Sequence, residues 1–146
     1  MTPQTYCQTA DLEAIWSAPA LLRAVDDAGT ALLGPDELAR VQHAIERAAN
    51  KMNASLEMRY RLTDLKQNTW CRDCNAMLAV YLLATRRGNG APDQIREQYH
   101  DFMNDLAEIR RGRMKVPQAG ERDPALPEVA AFDTDLTAVP ARIVRR

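Results

Sequence analysis

The sequence has few cysteines and no long apolar run. Its three cysteines are an odd number, so they do not form the disulfide framework of a small secreted domain. The longest strongly apolar run, 76–84, is far shorter than the roughly 20 residues that cross a bilayer, and the N-terminus has no basic-then-apolar signal pattern. We therefore expect a soluble protein, without a membrane partner, made in a cytosol.

The chain also has no excess of charge of either sign. Nineteen basic and 20 acidic residues leave a formal net charge of -1. No global field therefore draws the protein to nucleic acid or to an anionic membrane surface. Any contact with DNA has to be local.

Motifs for catalysis and for phosphate binding are missing too. Neither His43 nor His100 has a nucleophile and an orienting carboxylate at a recognisable spacing, so both are expected to be solvated surface residues. The glycines at 88 and 90 follow a predicted helix, whereas common phosphate loops follow a strand. We therefore expect no enzyme activity and no cofactor.

Two pairs of carboxylates could be imagined as a magnesium site. They are Asp26 with Asp27 and Asp133 with Asp135. Acids in turns more often accept hydrogen bonds from the backbone, and we favour that role here.

Cys71 and Cys74 form the one pattern with a familiar chemical interpretation, Cys-x-x-Cys. Two thiols three residues apart share a helix face and could supply half of a zinc site or a redox pair. The other candidate zinc ligands, Cys7, His43 and His100, are scattered, and the surrounding pattern is helical rather than βαβ. We favour buried structural thiols without a metal, and a zinc or thiol protein remains an alternative.

Apolar periodicity predicts an all-α fold in one domain with four helices. Thr9 is the expected N-cap of a first helix, and a short turn through 21–25 follows it. The longest helix begins at Gly34-Pro35, a third runs over about 67–85, and a fourth runs from Pro92 to Gly112. The third is apolar almost all round in its later half, so it is expected to be the most buried. The stripe of the longest helix consists of Leu38, Val41, Ile45, Ala48, Met52, Leu56 and Tyr60.

From about Met114 the composition changes. Four prolines interrupt any helix, and the apolar residues come in short clusters that cannot build a core. We predict a helical domain over 1–117 and an extended, mostly irregular tail over 118–146. Tails of this kind commonly order on a partner.

Basic residues are spread over several elements, and the densest cluster is 110–115. Cations also suit the last turn of a helix, where the dipole stabilises them, and we favour that role over DNA recognition. No helix-turn-helix pattern is visible. A small regulatory DNA-binding protein remains the alternative function.

Several short motifs in a fixed order carry a resemblance to a known family. They are Tyr6 to Leu12 as Tyr-x-x-x-x-Asp-Leu, Leu56 to Tyr60 as Leu-x-x-Arg-Tyr, Tyr81 to Leu83 before Arg86-Arg87, and Pro92 to Tyr99 with the closing Gly112. This arrangement over about 5–117, with a looser match around 132–136, resembles the head-tail connector or adaptor proteins of Mu-like and related tailed phages. The chain departs from the pattern at 61–66, where relatives carry a proline-bearing loop.

The resemblance implies a structural virion protein of the phage neck. It implies a homo-oligomer, a dodecameric ring that docks on the portal protein, extends the DNA channel and supports a stopper or tail-completion protein. Genomic DNA would pass without sequence-specific contacts, and the ring would assemble in the host cytoplasm. The apolar and basic residues of the tail are the expected portal-binding set: Phe132, Leu136, Val139, Arg142, Ile143, Val144, Arg145 and Arg146.

Overall fold

The structure, a computed structural model, describes residues 2–119. Five α-helices lie within these residues: α1 (Thr9–Ile15), α2 (Ala18–Val25), α3 (Pro35–Leu56), α4 (Thr69–Ala84) and α5 (Asp93–Arg110). A 3-10 helix, Leu62–Leu65, connects α3 to α4. The described part of the chain contains no strand, which confirms the all-α prediction.

The starts of the helices follow the local side chains. Asn68 caps α4, because its Oδ1 accepts a hydrogen bond from the Cys71 amide at 2.9 Å. At α1 the predicted cap was wrong by one residue: Gln8 is the N-cap, and its amide donates to the carboxylate of Asp11 at 2.8 Å. The acid in the first turn therefore fixes where α1 begins.

The segment predicted as a short turn is a helix of eight residues, α2, so the described chain has five helices rather than four. Pro19 near its start suits a first helical turn. Leu21 and Val25 are almost completely buried. Burial of this apolar side stabilises a helix too short to be stable by itself.

Helix α4 lies at the centre of the fold, as its composition predicted. It packs against α1, α2, α3 and α5. Most of its side chains from Cys71 to Leu83 are buried, among them Leu78 and Val80. The other helices form a layer around it, so that their outer faces are the surface of the domain.

The predicted stripe of α3 is buried with one exception. Leu38 is 42% exposed, whereas the preceding Glu37 is only 7% exposed. The Glu37 carboxylate turns inward because it accepts a hydrogen bond from the Gly34 amide at 3.0 Å and lies 3.5 Å from Arg40 Nη1. The placement of Leu38 in the core was therefore wrong.

The chain after α5 packs against the helical body as far as residue 119, the last described residue. Val116 is buried and Ala119 packs against the core. The predicted tail from 120 onward lies outside the described residues, and the division of the chain at 117 stays a prediction.

Candidate functional site

Four charged side chains from three parts of the chain meet at the end of α2. Asp27 Oδ1 accepts hydrogen bonds at 2.5 Å from Nη2 of Arg86 and from Nη2 of Arg87. Asp27 Oδ2 lies 3.3 Å from Nε of Arg40 on α3. One carboxylate thus joins the loop after α2 to α3 and to the end of α4.

The same three arginines bind the last carbonyls of α2, which have no partners within the helix. Arg87 Nη1 donates to the Arg23 carbonyl at 3.1 Å, and Arg86 Nη2 donates to the Ala24 carbonyl at 3.0 Å. Arg40 Nη1 donates to the Val25 carbonyl at 2.9 Å. We call Asp27, Arg40, Arg86 and Arg87 the arginine cluster. It satisfies the C-terminus of α2 with positive charge, the sign that the helix dipole favours there.

The two acids at this turn have separate structural roles. The Arg86 and Arg87 guanidinium groups hold the pKa of the Asp27 carboxyl well below its usual range. Hydrogen bonds from the amides of Ala31, Thr30 and Gly29 lower the pKa of Asp26. Asp26 therefore has the backbone-capping role favoured above. Asp27 instead binds arginine side chains, a role that the sequence did not predict. Asp133 and Asp135 lie outside the described residues.

The N-terminal segment is tied into the core by buried amides. Asn75, which is fully buried on α4, accepts a hydrogen bond from the Tyr6 amide at 2.8 Å and donates to the Ile45 carbonyl at 3.1 Å. Asn53 on α3 accepts from the Tyr6 hydroxyl at 2.6 Å. Burial raises the pKa of the Tyr6 hydroxyl above its usual range, so the phenol stays a neutral donor. The motif that begins at Tyr6 is thus an anchor for the chain before α1.

Motifs that are distant in the sequence contact each other in the structure. Gly112 has φ +79°, and a Cβ there would lie 2.8 Å from Arg59 Nη1. The glycine after α5 therefore leaves room for the arginine after α3. In the same way Tyr81 of α4 stacks on Tyr99 of α5, with ring centroids 3.7 Å apart.

Two hydrogen bonds fix the point from which the tail departs. The Val116 amide donates to the Tyr60 hydroxyl at 3.1 Å, and Asn68 Nδ2 donates to the Pro117 carbonyl at 2.9 Å. Both contacts lie beside the N-terminus of α4. The chain thus reaches residue 119 at a defined end of the central helix.

The Cys-x-x-Cys pair lies in the core. Cys71 and Cys74 are fully buried free thiols, as the structural interpretation predicted. Burial raises the pKa of Cys71 to about 12 and that of Cys74 still further, so neither is a thiolate near neutral pH. Across residues 2–119 no group of three or more His, Cys, Asp or Glu side chains could hold a metal ion.

The polar residues considered for chemistry or DNA binding lie at the surface. His43 and His100 are exposed, as predicted. In the basic cluster after α5, Arg111 Nη1 lies 3.0 Å and Arg113 Nη1 3.7 Å from the carboxylate of Glu108. Part of this cluster is thus neutralised locally at the helix end.

A groove of about 580 Å³ lies between the first half of α3 and the end of α4. Its floor is apolar and its rim is basic. No carboxylate from residues 2–119 lines it. We call it the arginine groove; the residues that matter below are Arg40, His43, Arg47, Leu82, Leu83 and Arg86.

Sequence reasoning missed the two buried asparagines and the arginine cluster. Asn75 carried a signal, since it is a polar residue at the start of the apolar part of α4. Asp27 carried none, because its partners lie far away in the sequence. The predicted portal-binding residues lie outside the described residues: Phe132, Leu136, Val139, Arg142, Ile143, Val144, Arg145 and Arg146.

Comparison with known proteins identifies the family. In residues 2–119 no helix is long and apolar enough to span a bilayer. No curated protein matches the sequence. A family model described as "Bacteriophage Mu, Gp36" matches residues 6–133, from the buried Tyr6 through the whole helical body and into the tail. The chain therefore belongs to the bacteriophage Mu Gp36 family, a family of phage proteins.

Proposed function

We propose that this protein is the adaptor subunit of a tailed-phage neck. Copies form a ring that docks on the portal, extends the DNA channel and carries the stopper or tail-completion protein. Membership of a phage family over residues 6–133 is the observation that carries this proposal. The motif resemblance to head-tail connectors gives it its specific form.

A compact body with a fixed point of departure for the tail suits this role. The N-terminal segment is bound to the core through Tyr6, and the chain after α5 is bound through Tyr60 and Asn68. An arm that leaves a rigid body at a defined place can reach the same spot on each portal subunit. Its ordering entropy is lost only when it binds.

The tail supplies apolar and basic groups for this docking. Burial of each large apolar side chain, such as Phe132 or Ile143, contributes about 1.5 to 3 kcal/mol. Two or three such anchors per subunit, repeated around a ring, would make attachment effectively irreversible through multivalency. The terminal Arg142, Arg145 and Arg146 add positive charge.

The role is mechanical and needs no catalysis or cofactor. A dodecameric ring closes when two different lateral faces of one subunit complement each other. Genomic DNA passes through without sequence-specific contacts, and a chain of net charge -1 is compatible with such a conduit. The isolated protein is monomeric or weakly associated, and the ring forms on the portal during assembly in the host cytoplasm.

Truncation after Gln118 tests the docking role of the tail. Val116 is the last buried residue of the described chain, and of the described residues only the partly buried Ala119 is lost, so the truncated chain should keep its helical circular dichroism and nearly the same melting temperature. It should no longer pull down the portal, and negative-stain images of the full chain with portal should show a stacked ring. Undiminished portal binding by the truncated chain would contradict the proposal. Tight, salt-sensitive binding of duplex DNA by the isolated protein would favour a regulatory DNA-binding protein instead.

A further inference from the structure

We propose that the arginine groove is the docking site for the acidic segment 128–136 of a second copy of this chain. The inference deepens the proposed function and rests on it, because it names a contact between neighbouring ring subunits. It also assigns a function to the groove, for which the fold of the helical body gives none.

The chemistry of the groove calls for an acidic and partly apolar occupant. Leu82 and Leu83 provide the apolar floor, and three arginines with His43 provide the rim. Arg40 and Arg86 share Asp27, but Arg47 has no hydrogen-bond or ion-pair partner within the described part of the chain. A volume of about 580 Å³ lies in the range of sites that enclose a few side chains. Complementary charge on the occupant would give the contact its specificity.

The segment 128–136 has this chemistry. Its acids are Glu128, Asp133 and Asp135, and it contains no basic residue. Its large apolar residues are Val129, Phe132 and Leu136, at steps of three and four. A helical conformation would therefore place all three on one side. Apolar residues can then enter the floor while the carboxylates face the arginine rim.

Geometry favours a second copy over the same chain. The tail departs beside Asn68, at the N-terminus of α4, whereas Leu82 of the groove lies 14 positions further along this helix (82 - 68). At 1.5 Å per residue this separation is about 21 Å along the helix axis. The nine residues from 119 to 128 span at most about 30 Å when fully extended, so the same chain could reach the groove only with a nearly extended linker. A neighbouring copy meets no such restriction, and a head-to-tail contact of this kind can close a ring.

The inference revises the portal-binding set given above. Phe132 and Leu136 move to the contact between copies, and Val139 to Arg146 remain for the portal. The contact between copies does not need the portal. It is weak in a pair of subunits and becomes effective when the portal holds many copies side by side.

Charge reversal in the isolated full-length protein tests the contact. Arg47→Glu changes the groove without touching the arginine cluster, and the double variant Asp133→Lys/Asp135→Lys changes the segment. Sedimentation equilibrium at low salt should show self-association of the unaltered chain, weakened about tenfold in either variant and by high salt. Arg61→Glu is the matched control, since Arg61 is exposed and lies away from the groove.

Mixing the two variants distinguishes a second copy from the same chain. The unaltered segment of one variant meets the unaltered groove of the other, so association should return in the mixture. Failure to return, or an equal loss in Arg61→Glu, would overturn the inference, as would a chain that stays monomeric at every concentration. Portal pull-down is a separate measurement. Self-association that either variant leaves unchanged contradicts only this contact, whereas a self-associating full-length chain that does not pull down the portal contradicts only the docking role.

Discussion

Helices α4 and α2 are held in the body by different kinds of contact. Helix α4 packs against four other helices, and its buried residues are mainly apolar or thiol-bearing. Helix α2 buries only Ala20, Leu21 and Val25. Its C-terminus is held by arginine and aspartate side chains that are roughly a third exposed, from 30% for Arg86 to 41% for Arg87.

These two kinds of contact have different effects: apolar burial stabilises the fold, and the charged contacts orient α2. Burial of apolar surface is nearly independent of pH and salt, so α4 should dominate the free energy of unfolding. Exposed ion pairs contribute little to stability because water and salt screen them. The arginine cluster should therefore fix the position of α2 and of one wall of the arginine groove, more than it stabilises the whole domain.

The largest expected effect is that of a cavity in α4. Leu78→Ala removes a side chain that is 1% exposed, so the free energy of unfolding should fall by about 2 to 5 kcal/mol. Urea unfolding followed by circular dichroism measures it. The matched control is Leu38→Ala, which removes the same atoms from a residue 42% exposed and should cost much less. Equal losses at the two positions would contradict the observed burial.

A smaller effect is expected at the two thiols of α4. Replacing Cys71 and Cys74 by alanine should lower the free energy of unfolding by about 1 to 3 kcal/mol in total, because each loses one buried sulfur. In the unaltered protein both thiols should react with a thiol reagent only after unfolding, since burial keeps them protonated. Unfolding by a chelator, or one zinc per chain in metal analysis, would contradict the structural role.

The sequence was sufficient to predict α3, α4 and α5, because each has an apolar period long enough to be recognised and a glycine, proline or cap near its ends. Helix α4 was predicted over about 67–85 and is Thr69–Ala84. Helix α2 was underestimated for a physical reason. Eight residues are too few to be helical by propensity. The apolar burial and the C-terminal hydrogen bonds that hold α2 depend on residues far along the chain, among them Arg86 and Arg87.

The candidate site was less predictable than the fold. Arg86 and Arg87 directly follow the predicted end of α4, but their binding to Asp27 depends on how α2 folds back against α4. The contact of Arg59 with Gly112 is equally a product of the tertiary structure. Sequence motifs can group such residues, but only the packing of the helices shows which of them contact each other.

The smallest expected change in global stability, and the most local one, follows from Asp27→Asn. The amide keeps the size of the side chain but removes the charge shared by Arg40, Arg86 and Arg87. Hydrogen exchange of the amides at 21–25 should become faster, while exchange in α4 should hardly change. Asp36→Asn, at an exposed acid in the first turn of α3, is the matched control and should leave α2 unaffected.

The pH dependence sharpens this test. The pKa of Asp27 is lowered in the folded protein, with the Arg86 hydrogen bond as the largest cause, so its contribution is present above the unfolded pKa of about 3.9 and is lost as pH falls towards the folded value. Corrected for intrinsic exchange rates, protection of α2 in the unaltered protein should therefore decrease below about pH 4. Asp27→Asn should show a shallower decrease, with a remainder from Asp26, whose pKa is lowered by backbone amides. An identical pH profile in both proteins would mean that apolar burial alone holds α2, as it does α4.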